Sequence, residues 1–233
     1  MDAIKRNARV AGLLYPLMGM PAVFALMYVP LTLIVRGNAA ATANNILASQ
    51  MLFRLGIVAE LIAAVSFLLL VMALYRLLSG VNKGHARLMV GLVLVSVAIT
   101  FANELNNIAA LTLFRGADFL AVFDKPQRDA LAMLFLGLHR QGLAVNGIFW
   151  GLWLFPFGVL VMRSLFLPRI LGVLLILNCF AYLAASLTSL LLPGYATVVS
   201  RFAIIPEAAG ELAIMLWLLI KGAKVQQLAA PAS

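Results

Sequence analysis

Ser96-Val97-Ala98-Ile99-Thr100-Phe101-Ala102-Asn103-Glu104-Leu105-Asn106-Asn107 is the stretch that decides the fold. It lies inside an apolar run of roughly membrane-spanning length. Ser96, Thr100, Asn103, Glu104 and Asn107 recur at i, i+4, i+7, i+8 and i+11. A helix therefore carries them on one face, opposite Val97, Ile99, Leu105 and Ile108. A carboxylate and two amides are tolerated in hydrocarbon when they face a helix-packed interior or a wet cavity. The rest of the chain must be built to receive that face.

The neighbouring sequence supplies the means. Of 233 residues, 64% are hydrophobic and 11% charged, outside the range of soluble domains. Six apolar runs, at about residues 10–35, 53–75, 88–114, 142–162, 169–192 and 203–220, each approach the roughly 20 residues that a bilayer demands. None alternates with period two, which argues against a membrane β-barrel. The fold class is all-α: a polytopic integral membrane bundle of six transmembrane helices. A single six-span domain is expected over 1–222, with a disordered cytoplasmic tail at 223–233.

The net charge of +9 is distributed by side of the membrane rather than in a nucleic-acid patch. Lys5, Arg6, Arg9, Arg76, Lys83, Arg87, Arg163, Arg169, Lys221 and Lys224 fall on one side, accompanied by Asp2. Arg36, Arg54, Arg115, Lys125, Arg128, Arg140 and Arg201 fall on the other, among Asp118, Asp124 and Asp129. This alternation predicts both termini in the cytoplasm. The lipid bilayer is the expected partner and nucleic acid is not. Cys179 is the only cysteine and lies within span 5, so no intramolecular disulfide can form. The N-terminus has the outline of a signal peptide, but its apolar stretch is long and holds Pro16, Pro21 and Pro30; we expect a retained, kinked span 1.

Residues 36–51 suggest a short interfacial helix, and Gly56, Ala63 and Ala64 share the face of Glu60 in span 2. Asp124 and Pro126 signal a helix start. From there, either an outer amphipathic helix bends near Gly142 and Gly147 into span 4, or one helix of about 57 Å runs to Arg163. Span 5 has its own polar stripe, Asn178, Tyr182, Ser186 and Ser189, and span 6 is expected to open after Pro206.

Counting 1.5 Å per residue from each cytoplasmic cation gives depths of about 24 Å for Glu60, 26 Å for Glu104 and Asn146, 21 Å for Glu207 and 15 Å for Glu211. Arg54 and His139 come out at about 33 and 36 Å, near the outer interface. The candidate ligand-binding set is Glu60, Asn103, Glu104, Asn107, Asn146, Glu207, Glu211, Arg54 and His139. Four acids among hydrocarbon must bind protons, pair with Arg54 and Arg140, or hold a cation. Structural readings compete: Glu60 packing against Arg54 or an amide, Glu207 as a first-turn acid after Pro206, and His139 facing headgroups beside Arg140. There is no HExxH, GxSxG, CxxC or phosphate loop. The nearest metal reading, Glu60, Glu104, His139 and Glu207/Glu211, is built from scattered residues without metal-ligand spacing; no metal is assigned to it and the cofactor is left open.

The chain also resembles a bacterial six-span membrane family described as a domain of unknown function, number 4386. The segments that carry the likeness begin with Arg9-Val10-Ala11-Gly12-Leu13-Leu14-Tyr15, Ile46-Leu47-Ala48-Ser49, Leu52-Phe53-Arg54-Leu55-Gly56 and Leu74-Tyr75-Arg76-Leu77. They continue with Leu138-His139, Arg163-Ser164-Leu165-Phe166-Leu167-Pro168-Arg169-Ile170-Leu171-Gly172 and Gly210-Glu211-Leu212 leading to Leu216-Trp217-Leu218-Leu219. The resemblance implies an inner-membrane protein and brings no activity with it. From the residues, three functions stay open. One is binding or translocation of a small polar or cationic species in an outward-facing cavity. The others are an intramembrane enzyme on a lipid or lipid-linked substrate, and a non-catalytic partner subunit.

Overall fold

Six helices are long and apolar enough to cross a membrane: Ile4–Leu33, Gln50–Leu78, Lys83–Arg115, Lys125–Arg163, Arg169–Leu191 and Pro193–Lys221. They belong to a computed structural model that describes residues 2–223; every regular element among the described residues is helical. The tail expected to be disordered lies, apart from Ala223, outside the described residues. Large apolar side chains are exposed in stripes, as at Leu55, Val58, Ile62, Val65 and Leu69 of the second span. In water such a surface would drive aggregation; in lipid it is the solvated face.

The first span is α1 (Asp2–Val23), a π-helical turn (Phe24–Tyr28) and α2 (Val29–Leu33). The Val29 N–H reaches back five residues to the Phe24 carbonyl. Pro30 cannot donate to the Leu26 carbonyl, so the expected disturbance is a widened turn just ahead of it. The short helix expected within residues 36–51 is α3 (Ala39–Ala48); the Ala41 N–H donates to its cap, Asn38 Oδ1, at 2.9 Å. The buried Thr42 hydroxyl donates to the Val35 carbonyl at 3.1 Å and ties α3 back to the end of span 1.

Spans 2 and 3 are α4 (Gln50–Leu78) and α5 (Lys83–Arg115). Span 4 comprises α6 (Lys125–Leu152) and α7 (Leu154–Arg163). Its start is a capping box: Gln127 N–H donates to Asp124 Oδ1 at 2.8 Å, and Asp124 N–H to Gln127 Oε1 at 3.0 Å. Helix α6 continues through Gly142 and Gly147 and ends at Leu152, one residue before Trp153. Pro156 leaves the Leu152 carbonyl without its helical donor, which sets the break there. The two glycines are seats instead. A side chain on Gly142 would collide with the Asn103 amide, and one on Gly147 with the Ser186 hydroxyl.

Span 5 is α8 (Arg169–Leu191). Span 6 begins earlier than expected, with α9 (Ala196–Leu216) followed by a π-helical turn (Trp217–Lys221). Pro206 lies inside α9 rather than at its start. Glu207 is therefore no first-turn acid stabilised by the helix dipole, because the free N–H groups of this helix are about two turns away.

The chain divides into two compact units. The first contains residues up to Pro16, Phe67–Val95 and those from Gly147 on. Here the end of α6 and α7 meet α8 at backbone distance: a Cβ on Gly158 would stand 2.7 Å from the Gly172 carbonyl, and one on Gly151 would stand 2.9 Å from that of Cys179. Trp153 fills the unit's core, stacked on Phe157 and edge-on to Phe67. The second unit contains Leu17–Ser66 and Ser96–Asn146. Its apolar core joins Val29, Ile46, Phe53, Leu111, Phe114 and Leu136. Gly56 admits the Val29 side chain, as the small-residue face of span 2 predicted.

Candidate functional site

The polar stripe of α5 turns inward. Glu104 is 1% exposed, whereas Leu105, the next residue, is 64% exposed. Ser96, Thr100 and Asn103 are also buried, so this helix is amphipathic in reverse, with its apolar face outward.

Three titratable groups meet there, all within the second unit. His139 Nε2, on α6, lies 2.9 Å from Glu104 Oε1 on α5 and 3.5 Å from Glu60 Oε2 on α4. The imidazole is not directed at headgroups; its side chain is 13% exposed and turned between the two acids. An Nε2 carries one hydrogen at most, so it serves the nearer Glu104. Glu60 is left with a long approach on one oxygen and a buried, unpartnered Oε1.

The amides hold this cluster in register. Asn107 Nδ2 donates to Glu104 Oε2 at 3.0 Å, so both oxygens of Glu104 are engaged. Asn103 Nδ2 donates to the His139 carbonyl at 2.9 Å, and the missing side chain of Gly142 makes room for that amide. Asn106 Nδ2 in turn donates to Asn103 Oδ1. Asn146 Nδ2 donates to Thr100 Oγ1 at 2.9 Å, and Thr100 Oγ1 to the Ser96 carbonyl.

A partly open cavity of about 640 Å³ adjoins the cluster. Glu60, His139 and Asn107 line it with Arg36, Arg140 and an apolar wall that includes Leu26, Pro30 and Leu143. Neither arginine makes an ion pair among the described residues. Arg54 does not join this group. It stands six residues before Glu60, about a third of a turn round the helix, and is exposed beside a separate space with Ile108 and Arg115. Among the described residues no lysine or arginine pairs with Glu60, Glu104, Glu207 or Glu211.

Glu207 and Glu211 belong to the first unit. Asn178 Nδ2 donates to the Glu207 carbonyl at 2.9 Å, while Asn178 Oδ1 and the Tyr15 hydroxyl are buried without partners. Both acids are half-buried. Sequence reading had overlooked Arg36 as a cavity residue, since a loop cation in a membrane protein carries no signal beyond topology. Sequence reading grouped His139 with Glu60, Glu104 and Glu207/Glu211 only as a weak, scattered set; three helices with no shared spacing gave no sign of which of them meet, and the structure brings together the first three.

Chemically, two carboxylates and an imidazole at a cavity wall can share protons or take up a cation. Among curated proteins and among solved structures, none matches the chain. A family model matches residues 10–222, nearly its whole length, and the chain thus belongs to the family described as Domain of unknown function (DUF4386).

Proposed function

We propose that this chain is an inner-membrane protein, with both termini in the cytoplasm, that binds a small polar or cationic species at Glu60, Glu104 and His139. The observation that carries the proposal is the buried, unpartnered Oε1 of Glu60 beside a cavity that its own side chain lines. A satisfied structural acid would have both oxygens bonded, as Glu104 has. One protonated imidazole can cancel one carboxylate, so a further cation completes the charge balance. The proposal rests on the second unit's acids; Asn103, Asn107 and Asn146 serve as the frame. The test is a thermal-shift panel on the purified protein with sodium, potassium, methylammonium, guanidinium, magnesium, manganese and zinc ions. At least one should stabilise wild type and lose its effect in Glu60→Gln. A panel without effect, or an equal effect in Glu60→Gln, overturns the proposal.

One observation favours a second reading, an enzyme working on a lipid or lipid-linked substrate. Arg36 and Arg140 line the same cavity as Glu60 and His139, together with an apolar wall. Guanidinium forks suit phosphate, and the wall suits an acyl chain. Native mass spectrometry should then find a phosphorylated lipid retained by wild type and released from an Arg36→Ala/Arg140→Ala variant. Equal retention by both removes this reading.

A further inference from the structure

The geometry points to a divalent transition-metal site made by Glu60, Glu104 and His139, with its remaining coordination positions open to the cavity. This rests on the cation-binding reading above and narrows it to one class of ion.

Distance is the first support. One ligating atom from each residue can be chosen so that all lie within 4.8 Å of one another. A tetrahedral ion with bonds of about 2.0–2.1 Å sets its ligand atoms about 3.3 Å apart. The separations found from His139 Nε2, 2.9 Å to Glu104 and 3.5 Å to Glu60, bracket that value. The ion would take the place of the hydrogen between His139 Nε2 and Glu104, the neutral imidazole keeping its proton on Nδ1, and the pair would open slightly to admit it.

Charge is the second. Two carboxylates cancel a divalent cation and a neutral imidazole adds nothing, so the loaded cluster is neutral overall. That is the condition a site among hydrocarbon favours. A monovalent ion balances the cluster only when the imidazole is protonated, and an imidazolium has no lone pair with which to ligate it. Donor type then chooses among divalent ions: two oxygens and an imidazole nitrogen suit zinc, manganese or iron(II), whereas calcium and magnesium take oxygen alone.

The surroundings are the third. Glu60 is 5% exposed, and its second oxygen has no protein partner. Asn107 holds the far oxygen of Glu104, and Asn103 holds the main chain of His139, the kind of outer support that orients metal ligands. Three protein ligands leave positions free, and the cavity lined by Glu60 and His139 is where they would face.

The test uses the full-length protein in detergent, stripped with a chelator and reloaded with zinc, manganese or cobalt(II). We expect one ion per chain by elemental analysis and a cobalt spectrum of four- or five-coordinate intensity. Glu60→Gln and His139→Ala should weaken binding by at least about tenfold, while His85→Ala binds as wild type. The cobalt spectrum is read on wild type, so a variant that fails to fold does not spoil the result. A weak six-coordinate spectrum, or equal metal in wild type and a Glu60→Gln/His139→Ala double variant, overturns the site. If a monovalent or organic cation still stabilises wild type through Glu60, the metal assignment falls and the broader reading stands. If nothing stabilises it, both fall.

Discussion

Glu60 and Glu104 face the same imidazole, yet their surroundings predict opposite responses to mutation. Glu104 is bonded on both oxygens, by His139 and Asn107. Glu104→Leu strands both donors, and at about 1–3 kcal/mol for each buried unsatisfied group the loss should be roughly 2–6 kcal/mol. A clear fall in melting temperature in detergent is the expected outcome. Glu60 has one oxygen without any partner and the other at 3.5 Å. Glu60→Gln removes a buried charge and breaks little, so the variant should melt at or above the wild-type temperature while losing the ligand response. A Glu60→Gln protein as weakened as Glu104→Leu would make Glu60 a packing residue. A third residue shows why local reading can mislead: Gly142, in sequence a plausible bend, is the seat of the Asn103 amide. Gly142→Leu should push that amide off the His139 carbonyl and weaken ligand response along with stability.

Elements in the first unit are joined by a seam of small residues. Gly147, Gly151 and Gly158 lie at i, i+4 and i+11 along α6 and α7, and their opposite numbers on α8 are Ser186, Cys179 and Gly172, seven residues apart. The pairs run in antiparallel order, which brings the two backbones within van der Waals contact. In lipid the hydrophobic effect does not hold helices together, so this close fit is a main source of their association. Gly158→Leu and Gly151→Leu should destabilise by about 1–3 kcal/mol or more through overpacking, read as a lower melting temperature. Gly91→Leu, whose added Cβ meets nothing within 4 Å, is the control and should leave it unchanged. A Gly158→Leu protein that melts like wild type would contradict the seam.

For the molecule as a whole, the stripes of exposed Leu, Val and Ile suit a bilayer, and the proposed orientation rests on the charge pattern of the connections. Single cysteines placed at Lys83 and Leu165, in a Cys179→Ala background, should be shielded from an impermeant thiol reagent in intact cells. Those at Asn38 and Asp118 should react. The reverse pattern would invert the proposed topology and, with it, the side from which the site is reached.

What the sequence by itself determined was whatever depends on periodicity along one helix. Six spans, a short helix within residues 36–51, the helix start at Asp124 and the inward face of Ser96 to Asn107 follow from local spacing and hydropathy. The start of span 6 did not, because Pro206 is tolerated inside α9 although proline ordinarily marks a boundary. Only the tertiary structure decided which polar groups meet. Glu60, Glu104 and His139 lie on α4, α5 and α6, and depth counted along each helix leaves its rotation about its own axis undetermined. Packing sets that rotation: it turns Arg54 away from Glu60 and draws His139 inward from the interface where its position along the chain alone would leave it.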